Sequence, residues 1–421
     1  MAIETIMPTR IPHIISLLLL IIGSLPSIHA QEAPRVSLRF VGDVMQHGPQ
    51  IKSALQPDGT YYYGDCLAYI SPRFKEAHIV VVNMETVFDG PPYTGYPYFS
   101  SPNTFARQVR DAGATLFLTA NNHILDKGAS GVTRTLALYD SLQVPSIGTY
   151  VRQEDQLQRG FALLERNGIR IALLNYTYGT NGNYLPPSVF INGLDTTLVK
   201  QHVALARQAA ADFIICCMHW GSEYHSRPDA TQRAWNERLR AYGVDAVVGS
   251  HPHVPQGIQV FRDAQGDIDF LTAFSLGNFV SNQPDPDTRM GLMLGFDLVK
   301  KNGTVVLERP FYEWLWTWRP FINGKKKYIV LPVSSPWPDS LTAMTPADSI
   351  LITTTLQTLR TFMQTEAPQI PERKRFPPYE RKNLYFGEHP PFVPLWAQQS
   401  VSSPADPGIP AIENHCTGRT D

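Results

Sequence analysis

Six short strings in this 421-residue chain set oxygen and nitrogen donors immediately after runs of apolar residues. In chain order they are Phe40-Val41-Gly42-Asp43-Val44-Met45, Val82-Asn83-Met84-Glu85-Thr86, Ala120-Asn121-Asn122-His123-Ile124-Leu125-Asp126-Lys127-Gly128, Met218-His219-Trp220-Gly221-Ser222-Glu223-Tyr224, Gly249-Ser250-His251-Pro252-His253 and Ser275-Leu276-Gly277-Asn278-Phe279. Aspartate, glutamate, asparagine and histidine supply the donors that divalent transition metals prefer. Taken singly, each string has an ordinary structural reading. Asp43 suits a turn or a helix cap, Glu85 half of a surface ion pair, Asn121 and Asn122 a turn, Asp126 with Gly128 a helix start, and His219 a hydrogen-bonded core imidazole. Chance rarely puts five such sets at five strand ends, so together they point to a metal centre. His251-Pro252-His253 is the most specific of them: in an extended chain residues two apart project to one side, and Pro252 stiffens the spacing. A helix starting after Gly128 would also turn its positive N-terminus towards the Asn121-Asn122-His123 loop, where an anionic group would be favoured.

The elements that must position these donors show in the hydrophobic pattern. Short β-branched runs at Val36 to Val41, Ile79 to Asn83, Thr115 to Thr119, Ile171 to Tyr176, Phe213 to Met218, Ala246 to Gly249, Phe270 to Ser275 and Leu292 to Val299 predict strands. Stretches at helical spacing lie between them, at Thr104 to Ala112, Gly131 to Leu142, Thr196 to Ala211 and Ala230 to Tyr242, with a further helix expected over Leu351 to Met363. Alternation of this kind predicts α/β architecture, in which functional groups collect at strand ends. After Lys300 the texture turns Trp-rich and Pro-rich; Trp314, Trp316 and Trp318 would share one face of a strand, and such a stripe is read as core rather than as a polymer-binding face.

Composition narrows the function classes. With 36 Lys plus Arg against 37 Asp plus Glu, no field of one sign favours nucleic acid or an anionic membrane surface. The four cysteines make no disulfide framework; Cys216 and Cys217 are adjacent in an apolar run and read as buried small residues, while a Cys66 to Cys416 pair is open but not required. No Gly-x-Ser-x-Gly elbow or P-loop lysine string occurs, which leaves a nucleophilic serine or a nucleotide mechanism without a carrier. Arg10 followed by the apolar run Ile14 to Ile22 and small residues up to Ala30 has the pattern of an export signal cleaved near Ala30, shorter than the ~20 apolar residues of a spanning helix. The organisation expected is therefore a signal over residues 1–30, an α/β domain over 31–300, a C-terminal extension over 301–399 and a disordered tail over 400–421.

The Asn-Asn-His-x-x-Asp-x-Gly, His-Trp-Gly-x-Glu-Tyr and Gly-x-His-Pro-His strings, in this order, resemble those of the CapA family of poly-γ-glutamate capsule synthesis proteins, whose domain is similar to the calcineurin-like metallophosphoesterases. The resemblance runs from about Val36 to Lys300. It implies a β-sandwich flanked by helices in α-β-β-α layers, with one or two divalent ions (Zn, Mn or Fe) between loops at one end. Carried over string by string, it implies that Asp43 and His253 hold a first metal, that Glu85 stands in the bridging position, and that Asn122, His219 and His251 hold a second. His123 would then face the substrate or protonate the leaving group. At one point the chain departs from the phosphoesterase pattern, which has Asp-x-His where this chain has Asp43-Val44-Met45. One first-site ligand is missing, and His47 is the residue near enough in sequence to replace it. With a single metal held at Glu85, Asn122, His219 and His251, Glu223 or His123 would have to act as base or acid.

Two functions follow from the resemblance. One is a metal-dependent hydrolase or transferase, exported, acting on poly-γ-glutamate or another envelope polymer through water whose pKa falls from about 15.7 towards about 7 on a metal ion. The other is a non-enzymatic accessory protein that binds the anionic polymer and assists its export, with the capsule export machinery as a further partner.

Overall fold

The computed structural model describes residues 33–334 and 341–374. The expected signal, the expected tail and Cys416 lie outside the described residues, as do all residues from 375 to 399. Strand formation follows the apolar runs closely. The strands are β1 (Arg35–Val44), β2 (Ile79–Asn83), β3 (Leu116–Leu118), β4 (Ser146–Ile147), β5 (Phe161–Arg166), β6 (Ile169–Thr177), β7 (Phe213–His219), β8 (Ala246–Ser250), β9 (Ile258–Arg262), β10 (Ile268–Ala273), β11 (Asn278–Val280), β12 (Met290–Lys301), β13 (Thr304–Trp318) and β14 (Ile329–Pro332). They hydrogen-bond in the order β4-β3-β2-β1-β12-β13-β10-β8-β7-β6-β5, with β11 beside β1, β9 beside β10 and β14 beside β13.

Period two decides which face each side chain takes. Along β12, Leu292, Leu294, Phe296 and Leu298 point inward while Met293 points to the opposite face. The inward residues of β1, β12 and β13 meet those of β6, β7, β8 and β10 in one core cluster, so the two halves of the sheet lie face to face. Trp314, Trp316 and Trp318 all belong to this cluster and are at most 1% exposed, which is the core reading of the stripe. The outer face of β1 to β3 is covered by helices α1 (Gly48–Ala54), α2 (Asn103–Asp111) and α3 (Gly128–Ser141), where Val80, Val82 and Phe117 meet Ala54, Phe105, Val109 and Tyr139. The outer face of β6 to β8 is covered by α4 (Thr196–Gln208) and α5 (Ala230–Ala241), through Val199, Val203, Trp235 and Leu239. Each such aliphatic side chain removed from water contributes about 1.5–3 kcal/mol.

The layers are thus α-β-β-α, as expected, with one difference in bonding. The halves are not two separate sheets: β10 and β13 are joined through the Ile268–Leu307 pair, so one sheet of fourteen strands folds over its own core. The segment after Lys300 enters this sheet at once, as β13 pairs with β12 from Met290–Trp316 to Lys301–Thr304. A further helix, α6 (Pro346–Glu366), starts on a Thr345/Asp348 capping box and presses Ile352, Leu356, Leu359 and Met363 onto the central cluster. Among the described residues no helix is long and apolar enough to cross a membrane.

Candidate metal centre

Strands β1, β2 and β3 run parallel, as do β6, β7, β8 and β10. Their carboxyl ends therefore deliver the donor-bearing loops to one edge of the sandwich. β1 ends on Asp43-Val44, β2 leads into Glu85, and β3 leads into the Asn121 to Asp126 turn. β7 ends on His219 and β8 leads into His251 and His253. The Gly42-Asp43 string has a packing reason: a Cβ at residue 42 would lie 1.8 Å from the Gly277 carbonyl oxygen, the atom that accepts the Asp43 N–H at 3.0 Å.

Asp43, Glu85, Asn122, His123, His219, His251 and His253 are all buried and gather in one region. Two sets of ligand atoms lie within 4.8 Å of one another, Asp43 with Glu85 and His219, and Glu85 with His251 and His253. Glu85 is common to both, the position that the resemblance assigned to a bridge. The rings of His219 and His251 are 4.8 Å apart, and those of His251 and His253 are 5.8 Å apart. The route to this proximity differs from the expected one. β8 stops at Ser250, and His251 and His253 take φ values of +96° and +60°, so a left-handed turn rather than strand alternation aims the two imidazoles. Such backbone is costly for a residue with a side chain and persists where its surroundings hold it; here Asp43 accepts the His251 N–H at 3.2 Å.

Hydrogen bonds fix which nitrogen each ring presents. His253 Nδ1 lies 3.1 Å from both Asp43 Oδ2 and Asn278 Oδ1, two acceptors that hold the proton on Nδ1 and leave the Nε2 lone pair facing Glu85 Oε1 at 3.9 Å. His123 is oriented in the same way: its Nδ1 donates to Asp126 Oδ2 at 2.8 Å, and its Nε2 stands 4.0 Å from Glu85 Oε1. His219 Nε2 meets Asn122 Oδ1 at 2.8 Å, while its Nδ1 is 3.2 Å from the Asn83 amide, which also donates to Asp43 Oδ1 at 2.8 Å.

The residues fit a cation. Glu85 is fully buried, yet neither of its carboxylate oxygens has a hydrogen-bond partner, and the buried His251 Nδ1 has none either. An unpaired carboxylate in such a place is strongly disfavoured unless positive charge accompanies it. Burial, followed by the charge of Asp43, pushes the Glu85 carboxyl well above its ordinary range. Burial also drives His219 well below the usual imidazole value and His251 down to about 3, so neither ring supplies that charge as a proton near neutrality. Neutral imidazoles around an unsatisfied carboxylate are the donor set of a divalent metal.

His47, the substitute considered for the missing first-site histidine, joins neither ligand group. Its Nδ1 accepts the Asn282 N–H at 3.3 Å and lies 3.2 Å from Gln50 Oε1 on α1, and burial lowers its pKa to about 4. Met45 is itself buried. Glu223 is 43% exposed and its Oε1 lies 3.9 Å from His253 Nε2; the half-open rings of Tyr178 and Tyr224 lie 4.4 Å from His251 and 5.9 Å from His253. Four supporting residues had no assigned role in the sequence reading. Asn83 and Asn278 orient ligands, Asp126 orients His123, and Asn175 on β6 accepts the Thr119 and Ala120 N–H groups to hold the Asn121-Asn122-His123 turn in place. Three of them sit inside the six strings, so the strings themselves were the signal; Asn175 lies within an apolar run and carried none.

Comparison with known proteins adds the following. Residues 37–283 match the family model of the bacterial capsule synthesis protein PGA_cap. The capsule biosynthesis protein CapA of Bacillus anthracis is 28% identical over 66% of this chain and 67% of its own length. The PGA biosynthesis protein CapA of Bacillus subtilis is 27% identical over 66% of this chain and 72% of its own. Among solved structures, the NAD nucleotidase of Haemophilus influenzae superposes with a TM-score of 0.42 at 12% identity, over 82% of this chain and 64% of that one, less than two thirds of its length.

Proposed function

The chain belongs to the PGA_cap family of bacterial capsule synthesis proteins, and from that premise we propose that it is an exported, metal-dependent hydrolase or transferase acting on poly-γ-glutamate or a related anionic envelope polymer. The observation that carries this reading is the Glu85 carboxylate, fully buried and without a hydrogen bond among three imidazoles at one edge of the sandwich. The export pattern ending at Ala30 and the likeness to the PGA biosynthesis protein CapA of Bacillus subtilis support the location and the substrate class.

Zn, Mn or Fe would be held by Asp43, Glu85, Asn122, His219, His251 and His253, and when bound would polarise water and an anionic substrate oxygen. The chain's own residues do the rest. Asp43 and Asn278 keep the proton on His253 Nδ1, which leaves Nε2 free to ligate. Asp126 locks the His123 ring so that Nε2 faces the Glu85 side of the cluster, where it can accept a hydrogen bond from the substrate or, once it has taken a proton from water, pass that proton to a leaving group. Phe99 packs edge-on at 4.6 Å against that ring and keeps water from its outer face.

Metal analysis of the purified chain tests the reading, followed by assays on γ-glutamyl polymers and on phosphoesters. A stoichiometric transition metal that is mostly lost in His251→Ala, with turnover of one of these substrates, is the expected result; metal content unaffected by that change overturns it. A second reading, an accessory protein that binds the polymer without cutting it, is favoured by the burial of Met45 where the phosphoesterase pattern has a ligand. On that reading polymer binding persists in His219→Ala and after chelation.

A further inference from the structure

We propose that Glu223 is a metal ligand, supplying from the β7–α5 loop the first-site donor that Met45 does not. This rests on the metal-centre reading above and extends it to a residue outside the inherited ligand set. The first site needs a further donor: Met45 is buried and offers only a soft thioether, and His47 Nδ1 is engaged by the Asn282 N–H. The donors in place are Asp43, Glu85 and His253.

Glu223 approaches the same nitrogen from the solvent side. Its Oε1 lies 3.9 Å from His253 Nε2, the same separation as that between His253 Nε2 and Glu85 Oε1. Donors on one zinc-type ion, at bonds of about 2.0–2.2 Å, stand roughly 3 to 3.5 Å apart, so each carboxylate is within a few tenths of an ångström of that spacing from His253 Nε2. Glu223 lies outside both groups of ligand atoms already gathered within 4.8 Å, and its exposed side chain has the freedom to turn inward and join them. The lone pair of His253 Nε2 faces both carboxylates because the ring's proton is held at Nδ1 by Asp43 and Asn278. Glu85 is the independent sign of a cation: a fully buried, unpartnered carboxylate directed into the same space.

The loop is built to hold Glu223 there. The Tyr224 N–H donates to the carbonyl of Pro252, the residue between the two histidines, at 2.8 Å. Tyr224 itself takes φ +63°, and the Glu223 carbonyl lies 2.8 Å from His225 Nδ1, whose own carbonyl accepts from Gln256 Nε2 at 2.8 Å. The carboxylate is therefore tied to the histidine turn at the backbone while its side chain remains 43% exposed. A ligand with that exposure can be displaced by an anionic oxygen of the substrate, whereas the buried ligands cannot.

The test is calorimetric titration of Zn2+ and of Mn2+ into the metal-free full chain, wild type against Glu223→Gln, with the metal-induced rise in Tm read on the same samples. The expected result is that one bound ion is weakened about 10- to 100-fold, or lost, while a second is unchanged, with a smaller rise in Tm. Affinities and Tm shifts identical to wild type for every ion overturn the proposal and leave the metal centre standing. A wild-type chain that takes up neither ion overturns the metal-centre reading, and this proposal with it.

Discussion

Glu85 and Glu313 are both fully buried carboxylates with no hydrogen bond to either oxygen, and they resolve the same deficit in opposite ways. Glu313 sits mid-strand on β13, opposite Met293, beneath the short helix Ser71–Lys75. Burial raises its pKa to about 8, opposed by the charges of Arg73, whose Nε is 3.5 Å away, and of Arg373. It settles near neutral pH by keeping a proton close to fixed cations. Glu85 lies beyond the end of β2, and the groups set against it, at 3.8 to 4.0 Å, are the imidazoles of His123, His219 and His253. The comparison teaches that a buried acid alone marks no site; its neighbours decide whether its counter-charge is built in or recruited.

The largest effect should come from removing the acid that recruits. Glu85→Gln should abolish metal uptake in elemental analysis, and the change should cost the metal-loaded protein the linkage stabilisation that binding supplies, about 4 kcal/mol at a thousandfold excess of free metal over Kd. Without metal the same variant should melt higher than wild type, because an unpaired buried carboxylate is gone; a metal-free Tm below wild type breaks the comparison. Next comes Glu313. Its folded pKa of about 8 lies above the ordinary 4.5, so between these values the folded chain holds a proton that the unfolded chain has released. Its contribution to stability is full below pH ~4.5 and is lost as pH rises towards ~8, at about 1.4 kcal/mol per pKa unit and on the order of a few kcal/mol in all. Denaturant midpoints of wild type against Glu313→Gln over this range should diverge with that sign, with metal content equal in the two.

Smaller changes sharpen the contrast. Asn83→Ala removes a group that orients Asp43 and His219 without ligating, and should weaken metal affinity about 10- to 100-fold by titration while leaving the Glu313 pH dependence intact. Arg227→Ala breaks an exposed pair with Glu366, 3.3 Å apart at the C-terminal end of α6, and should change stability by no more than about 1 kcal/mol with metal binding unaltered.

Much of this was legible in the hydrophobic pattern. The run Ile79 to Asn83 is the strand itself, and the residues expected at Phe213 to Met218 and Ala246 to Gly249 gain only His219 and Ser250. The loops between them carried the donors because polar residues stand where the apolar runs stop. What the pattern did not reveal has physical causes. β5 reads Phe-Ala-Leu-Leu-Glu-Arg, an edge strand whose charged residues hide its pairing with β6. Glu313 lies in a stretch of mixed charge and aromatics, and its burial depends on the helix packed over it rather than on its neighbours in sequence. The left-handed turn at His251 and His253 is imposed by contacts to Asp43, far away in the chain, so period-two reasoning put the rings together for the wrong reason. The single pair Ile268–Leu307 that makes one sheet of two halves involves residues that no local signal links.

The place of β1 has a consequence for how the protein comes into being. It is the first strand of the described chain and lies in the middle of the sheet, with Arg35 opposite Val299 and the Asp43 N–H bonded to Gly277. A nascent chain must therefore carry an unpaired flank of its central strand until β11 and β12 have been made, and closures over such sequence separations are slow. Any ion the centre takes up would then arrive late, because Asp43 meets His251 and His253 only once β1 has gained its later partners.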